Sequence, residues 1–205
     1  MLTPSSSRLG NVKGSVLRSR LAFVSELRGG ETLERVLARL TEQEQAILGG
    51  TLMPFVWYPF EINLRLDTAI AAELGGGDEI FRAMGAKSAE HNLTSASQRR
   101  YVDEKNPQAL LKSTSAIYSV YYDTGRREYE KVSETSAILR TYESLSFAST
   151  DCLSVAGWYE RAIAMCGGRN ARVAETRCRV KGDAVCEYVL EWEMDRRAST
   201  VPPPG

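Results

Sequence analysis

Ala171-Arg-Val-Ala-Glu175-Thr-Arg-Cys178-Arg-Val-Lys181-Gly182-Asp183-Ala-Val-Cys186-Glu-Tyr188-Val-Leu-Glu-Trp192 is the stretch on which the fold turns. Ala171 to Val180 alternates apolar and polar residues, and Ala184 to Trp192 does so again. Side chains of a strand point to opposite faces in turn, so each run reads as a half-buried strand. Lys181-Gly182-Asp183 between them is a tight-turn signal, which makes the pair a hairpin. Upstream, Glu128 to Val132 and Ala137 to Ser146 also read as extended. Thr150 and Asp151 are cap-type residues before a helical run from Cys152 to Met165, stopped by Gly167-Gly168. The order β-β-α-β-β predicts an α+β protein with a four-stranded antiparallel sheet and helices on one face.

From about 13 to 123 the signals are helical. Val16, Leu17, Leu21, Val24 and Leu27 recur at three- and four-residue steps. Thr32 is read as the cap of a helix carrying Leu33, Val36, Leu37 and Leu40. Thr41 with Glu44 has capping-box spacing. Pro59 opens a helix from Phe60 to Leu74, and Gly75-Gly76-Gly77 ends it. Asp78 caps a helix to about Ala96, and Asn106-Pro107 opens one running to Asp123. Residues 1–12 are expected to be a disordered leader and 196–205 a Pro-rich tail. Between them a single domain is expected over 13–195, with its helical part at 13–123 and its β-β-α-β-β part at 126–193.

Composition removes several functions. Twenty-six basic residues balance 26 acidic ones, which gives no electrostatic footprint for nucleic acid or an anionic membrane. No apolar run approaches the roughly 18 residues that span a bilayer, and the N-terminus has no apolar signal core. A cytoplasmic location is expected. One histidine in 205 residues leaves little room for general-base or triad chemistry, so no enzyme is expected. The charged stretch Arg126 to Lys131 reads as a solvated strand edge.

Cys152, Glu175, Cys178 and Cys186 stand in the spacing Cys-x22-Glu-x2-Cys-x7-Cys. The hairpin can bring Cys178 near Cys186, and the end of the helix can add Cys152. Three thiolates and a carboxylate make a closed tetrahedral set of the kind that structural zinc prefers. The same residues also suit three packed small hydrophobes, or a Cys178–Cys186 cross-strand disulfide. Cys166 reads as a packed thiol.

On this spacing, with Gly157, Gly168-Arg169, Gly182 and the aromatic Tyr188 around it, the chain resembles the 4-vinyl-reductase domain. That domain is the ligand-sensing module of bacterial phenol- and toluene-responsive activators. The likeness covers about 149–192. The wider superfamily includes haem-based nitric-oxide sensors and vesicle-tethering subunits. The full-length pattern, with Val12-Lys13-Gly14 and Gly157-Trp158, also resembles a myxobacterial paralogous family, which supplies no mechanism. The 4-vinyl-reductase resemblance implies a helical bundle on a four-stranded sheet, zinc at the four residues above, a homodimer through the helical part and an apolar ligand pocket between the layers. The sequence as read carries no ATPase or DNA-binding module, so signalling is expected to pass to a separate protein partner.

Phe55, Trp57, Tyr118, Tyr122 and Trp158, with Tyr121 on the same helix as Tyr118, are the candidates to line a pocket for a small hydrophobic or aromatic ligand, and the same residues also suit ordinary core and dimer interface. No haem is expected. His91 is the only possible proximal ligand, and the Tyr-x-Ser-x-Arg motif that haem-binding relatives use for the propionates is missing. Two functions follow from these readings: a small-molecule sensory domain, or a protein-interaction scaffold of the same fold with no ligand.

Overall fold

A computed structural model describes residues 9–95, 98–102 and 106–194 of the chain. The predicted tail at 196–205 and the first eight residues of the predicted leader lie outside the described residues. Asn11 and Val12, also assigned to the leader, are instead part of a strand. β1 (Asn11–Lys13) pairs antiparallel with β2 (Trp57–Pro59), and Val12 is completely buried. Asp123 holds the entry, taking the Asn11 backbone N–H at 2.7 Å.

Helices α1 (Gly14–Arg28), α2 (Gly30–Leu37), α3 (Glu42–Gly49), α4 (Phe60–Leu74) and α5 (Asp78–Thr94) build the first layer. The expected capping box is present at α3, where Thr41 accepts from the Glu44 backbone and Glu44 reaches back to Thr41. Pro59 precedes α4 and Gly75 ends it, as the sequence predicts. Thr32 does not cap: it lies inside α2, and its hydroxyl donates to the Arg28 carbonyl one turn back. The helix expected from Pro107 to Asp123 is two, α6 (Pro107–Lys112) and α7 (Thr114–Tyr121), broken at Ser113. Asn106 caps α6 through its side-chain oxygen.

The second layer is a sheet of strand order β3-β4-β6-β5, built from β3 (Arg126–Ser133), β4 (Ser136–Tyr142), β5 (Arg169–Arg177) and β6 (Cys186–Glu193). All of its pairings are antiparallel. Its buried face is a ladder of cross-strand rows: Ala137 beside Leu190 and Val173, Leu139 beside Tyr188, Thr141 beside Cys186. The opposite face carries Arg140 between Glu130 and Glu187, each at 2.6 Å.

α8 (Ser149–Met165) joins the layers. Val155, Ala156, Tyr159 and Ile163 pack with the sheet core, while Ala162 joins the helical core. Against α5 it approaches backbone to backbone. A Cβ built on Gly157 would lie 2.0 Å from the Arg82 carbonyl oxygen, and one on Gly85 would lie 1.9 Å from that of Ser154. The β5–β6 connection is longer than the predicted tight turn. A 3₁₀ turn over Arg179–Lys181 is followed by Gly182 at φ 98°, a left-handed conformation that favours glycine. Cys178 therefore sits just past the end of β5 and not within it.

Candidate metal cluster and interlayer cavity

The first turns of α8 supply Cys152, β5 supplies Glu175, the exit of β5 supplies Cys178 and the start of β6 supplies Cys186. Their ligand atoms all lie within 4.8 Å of one another. None of the four cysteines of the chain is disulfide-bonded, and the Cys152 and Cys178 sulfurs are 3.9 Å apart. The Glu175 Oε1 atom is buried without a hydrogen-bond partner, which is costly for a carboxylate. Hydrogen bonding between Cys152 and Cys186 holds the Cys186 thiol down, at about 7, and drives Cys152 up. Burial, then Glu175, push Cys178 up. Negative charge gathered on this buried set needs a cation to balance it. Cys166 packs in the helical core.

A small cavity lies between α1, α5, α7 and α8, with Arg127 of β3 on its sheet side. Tyr118, Tyr122 and Trp158 line it, as the sequence suggests. The rings of Tyr118 and Tyr122 stack at 4.9 Å. The Tyr118 hydroxyl donates to the Thr124 carbonyl and contacts Ser144 Oγ, each at 2.9 Å. The Tyr122 hydroxyl donates to Asp151 at 3.0 Å, a carboxyl that burial raises to about 6. The cavity measures about 50 Å³.

Phe55 and Trp57 do not reach it. Trp57 is held in β2 under the Lys13 ammonium, 3.6 Å from the ring centroid. Phe55 is 66% exposed on the rim of an open groove of about 870 Å³ between α1, the 50–55 loop and the end of α5. His91 faces that groove, its side chain 38% exposed and 3.1 Å from Glu26. The aromatic run around Phe55 reads as pocket in sequence, yet β1–β2 pairing places it at the far edge of the helical layer.

Tyr121, read with Tyr118 and Tyr122 as pocket lining, borders the cavity too. Two contributors were not legible: Arg127 was hidden in a charged run, and Arg20 in the polar positions of α1. Arg20 is buried with Asp67 at 2.8 Å, their side chains 3% and 0% exposed. Asn63 donates to the second Asp67 oxygen at 3.3 Å.

A helical layer on a four-stranded antiparallel sheet, with a cavity between them, defines the class of fold. It is the fold of the H-NOX domains. An H-NOX protein from S. oneidensis in the Fe(II)NO ligation state is similar at TM-score 0.70 and 12% identity, over 88% of this chain and 99% of that one. An oxygen-binding H-NOX domain related to soluble guanylate cyclases, in its oxygen complex, is similar at 0.65 and 11%, over 88% and 95%. A structure described as "Modulating Heme Redox Potential Through Protein-Induced Porphyrin Distortion" matches at 0.65 and 12%, over 87% and 99%. No family model and no curated protein matches the chain. These matches show the fold alone, and the 4-vinyl-reductase assignment draws no support from them.

The expectation of no haem is corrected by these neighbours, one of which is described by its heme redox potential. The zinc expected instead draws no support from them. A missing motif and a single histidine therefore do not exclude haem from this fold. As the side chains stand, the interlayer residues do not fit a porphyrin. Pockets for drug-sized ligands run to roughly 300–1,000 Å³, against about 50 Å³ here, and His91 does not line this cavity. The helices beside the cavity, α5 and α8, touch at Gly85 and Gly157.

Proposed function

We propose that this chain is a non-enzymatic, cytoplasmic sensory domain that binds a small, largely apolar molecule between its helical layer and its sheet. The observation that carries the reading is the interlayer cavity: apolar and aromatic walls with a few buried polar groups turned toward it, the usual composition of a ligand site. Tyr118, Tyr122 and Trp158 are the contacts retained from the sequence, and ligand binding there would be felt by both layers through α8. Two of the structures that share the fold are described with nitric oxide or oxygen bound. This supports the reading by fold analogy alone. A homodimer and a separate downstream protein complete the proposal and rest on the resemblance.

Cys152, Glu175, Cys178 and Cys186 are proposed to hold a thiophilic metal ion. Three sulfurs and an unpartnered carboxylate oxygen within 4.8 Å suit a soft cation. The ion would pin the start of α8 to the β5–β6 hairpin and perform no chemistry, because all four ligands come from the protein.

The second reading is an interaction scaffold. Met53, Phe55 and Val56 are 37%, 66% and 41% exposed and form an apolar stretch beside the open groove. The discriminating experiment is a melting-temperature screen of small organic molecules against wild type and Ile117→Phe. Ile117 is buried against the cavity, and the larger ring fills it. A sensor yields molecules that stabilise wild type and not the variant. A scaffold yields none that discriminate.

A further inference from the structure

Of the eight residues of β3, Arg127 alone is buried, at 6% exposure. It faces inward in one cross-strand row with Thr141 and Cys186. Its Nε donates to Thr141 Oγ1 at 2.9 Å, and one terminal nitrogen reaches the Tyr159 hydroxyl at 3.4 Å. The rings of Tyr118, Tyr159 and Tyr188 surround it, with centroids 4.8, 5.6 and 5.8 Å from the guanidinium carbon. No carboxylate among the described residues forms an ion pair with it. The buried acids of the region are engaged elsewhere, Asp67 by Arg20 and Asp151 by Tyr122.

A guanidinium cannot shed its proton to escape burial. Aromatic rings and neutral oxygens compensate a buried cation less well than a carboxylate does. Arg127 lines the interlayer cavity. So does Tyr121, 7% exposed, whose buried hydroxyl has no hydrogen-bond partner. Burial pushes its phenol well up from its ordinary value, so it is a neutral donor with nothing to donate to. A buried cation and an unused donor thus border one small apolar space. That space is about 50 Å³, and a single water needs roughly 10–15 Å³ of such room. The occupant has only a few heavy atoms.

We propose that the cavity takes a short carboxylate, of acetate to propionate size. Its oxygens accept from Arg127 and Tyr121, and its carbon tail lies against Ile117, Val155 and Trp158. This rests on the sensory reading above and adds the chemical class of the ligand.

The test is calorimetric titration of the full chain with sodium acetate, sodium propionate, the neutral isostere acetamide, and phenol. Wild type is compared with Arg127→Gln, Arg127→Lys and Tyr121→Phe. The carboxylates are expected to bind wild type at least about tenfold more tightly than acetamide, as hydrogen bonds to a charged group allow. Binding is expected to be lost in Arg127→Gln. Tyr121→Phe keeps the ring and is expected to weaken binding about fivefold. Should Arg127→Gln not fold, Arg127→Lys and Tyr121→Phe carry the comparison. Acetamide or phenol binding as tightly as acetate, with no effect of the Arg127 variants, overturns the carboxylate and leaves the sensory site standing. No binding by either carboxylate also overturns it, and the wider screen against Ile117→Phe then decides the sensory reading separately.

Discussion

Arg20 and Asp67 show how much the interior of this protein depends on single polar residues. The pair is almost completely buried and joined at 2.8 Å, with Asn63 on the second carboxylate oxygen. Burial pushes the Asp67 carboxyl up, and the neighbouring guanidinium is what opposes that. Removing one partner leaves a buried charge without compensation, so Arg20→Met is expected to destabilise by about 3–5 kcal/mol in urea unfolding. Arg20→Met with Asp67→Leu should recover most of that loss, because two apolar groups need no partner. A double variant as unstable as the single one would show that the pair does more than neutralise itself. At this scale the sequence was unevenly informative. Cysteine and glutamate are chemically distinctive, and their spacing alone brought Cys152, Glu175, Cys178 and Cys186 together on paper. Arg127 sits among Arg126, Glu128, Glu130 and Lys131, and nothing local separates the one inward residue from the solvated ones. Only the register against Thr141 does so.

The elements were legible where backbone chemistry punctuates them. Thr41 with Glu44, Pro59 before Phe60 and Asn106 before Pro107 all mark helix starts in the structure. The break at Ser113 was not marked, because Ser113 lacks the signature of proline or glycine. The α5–α8 contact was not legible either. A glycine inside a helix reads in sequence as a propensity cost of roughly 1 kcal/mol, whereas Gly85 and Gly157 are there because the facing carbonyls leave no room for a methyl group. Gly157→Ala is accordingly expected to destabilise by about 1–3 kcal/mol or more through overpacking, despite its better helix propensity. Gly30→Ala, at a position with nothing within 4 Å, should be close to neutral in the same measurement. Equal effects at the two sites would contradict the close approach.

On the scale of the whole molecule, two apolar clusters share one helix. α8 gives Ala162 to the helical core and Val155, Tyr159 and Ile163 to the sheet core. The proposed metal ion would fasten the start of that helix to the β5–β6 hairpin. Cobalt(II) added to the thiol-reduced protein is expected to give thiolate charge-transfer absorption at about one equivalent and a higher melting temperature, since binding only the folded state stabilises it. Cys178→Ser should abolish both. Unchanged absorption in the variant would leave the four residues as packing. The layer architecture was readable from a change of periodicity, three to four residues before 123 and two after 126. The place of the cavity was readable in part, through Tyr118, Tyr122 and Trp158; its small size was not, because that depends on how tightly two helices approach across 70 residues of intervening chain.

Trp158 reports on that cavity from its wall, and its indole N–H resonance in the full-length chain is the most direct probe of the central claim. Small organic molecules that bind between the layers are expected to shift this signal in wild type and to leave it unmoved in Ile117→Phe. Ligands that bind without moving the Trp158 signal, or that move it equally in the filled variant, would contradict an interlayer sensory site.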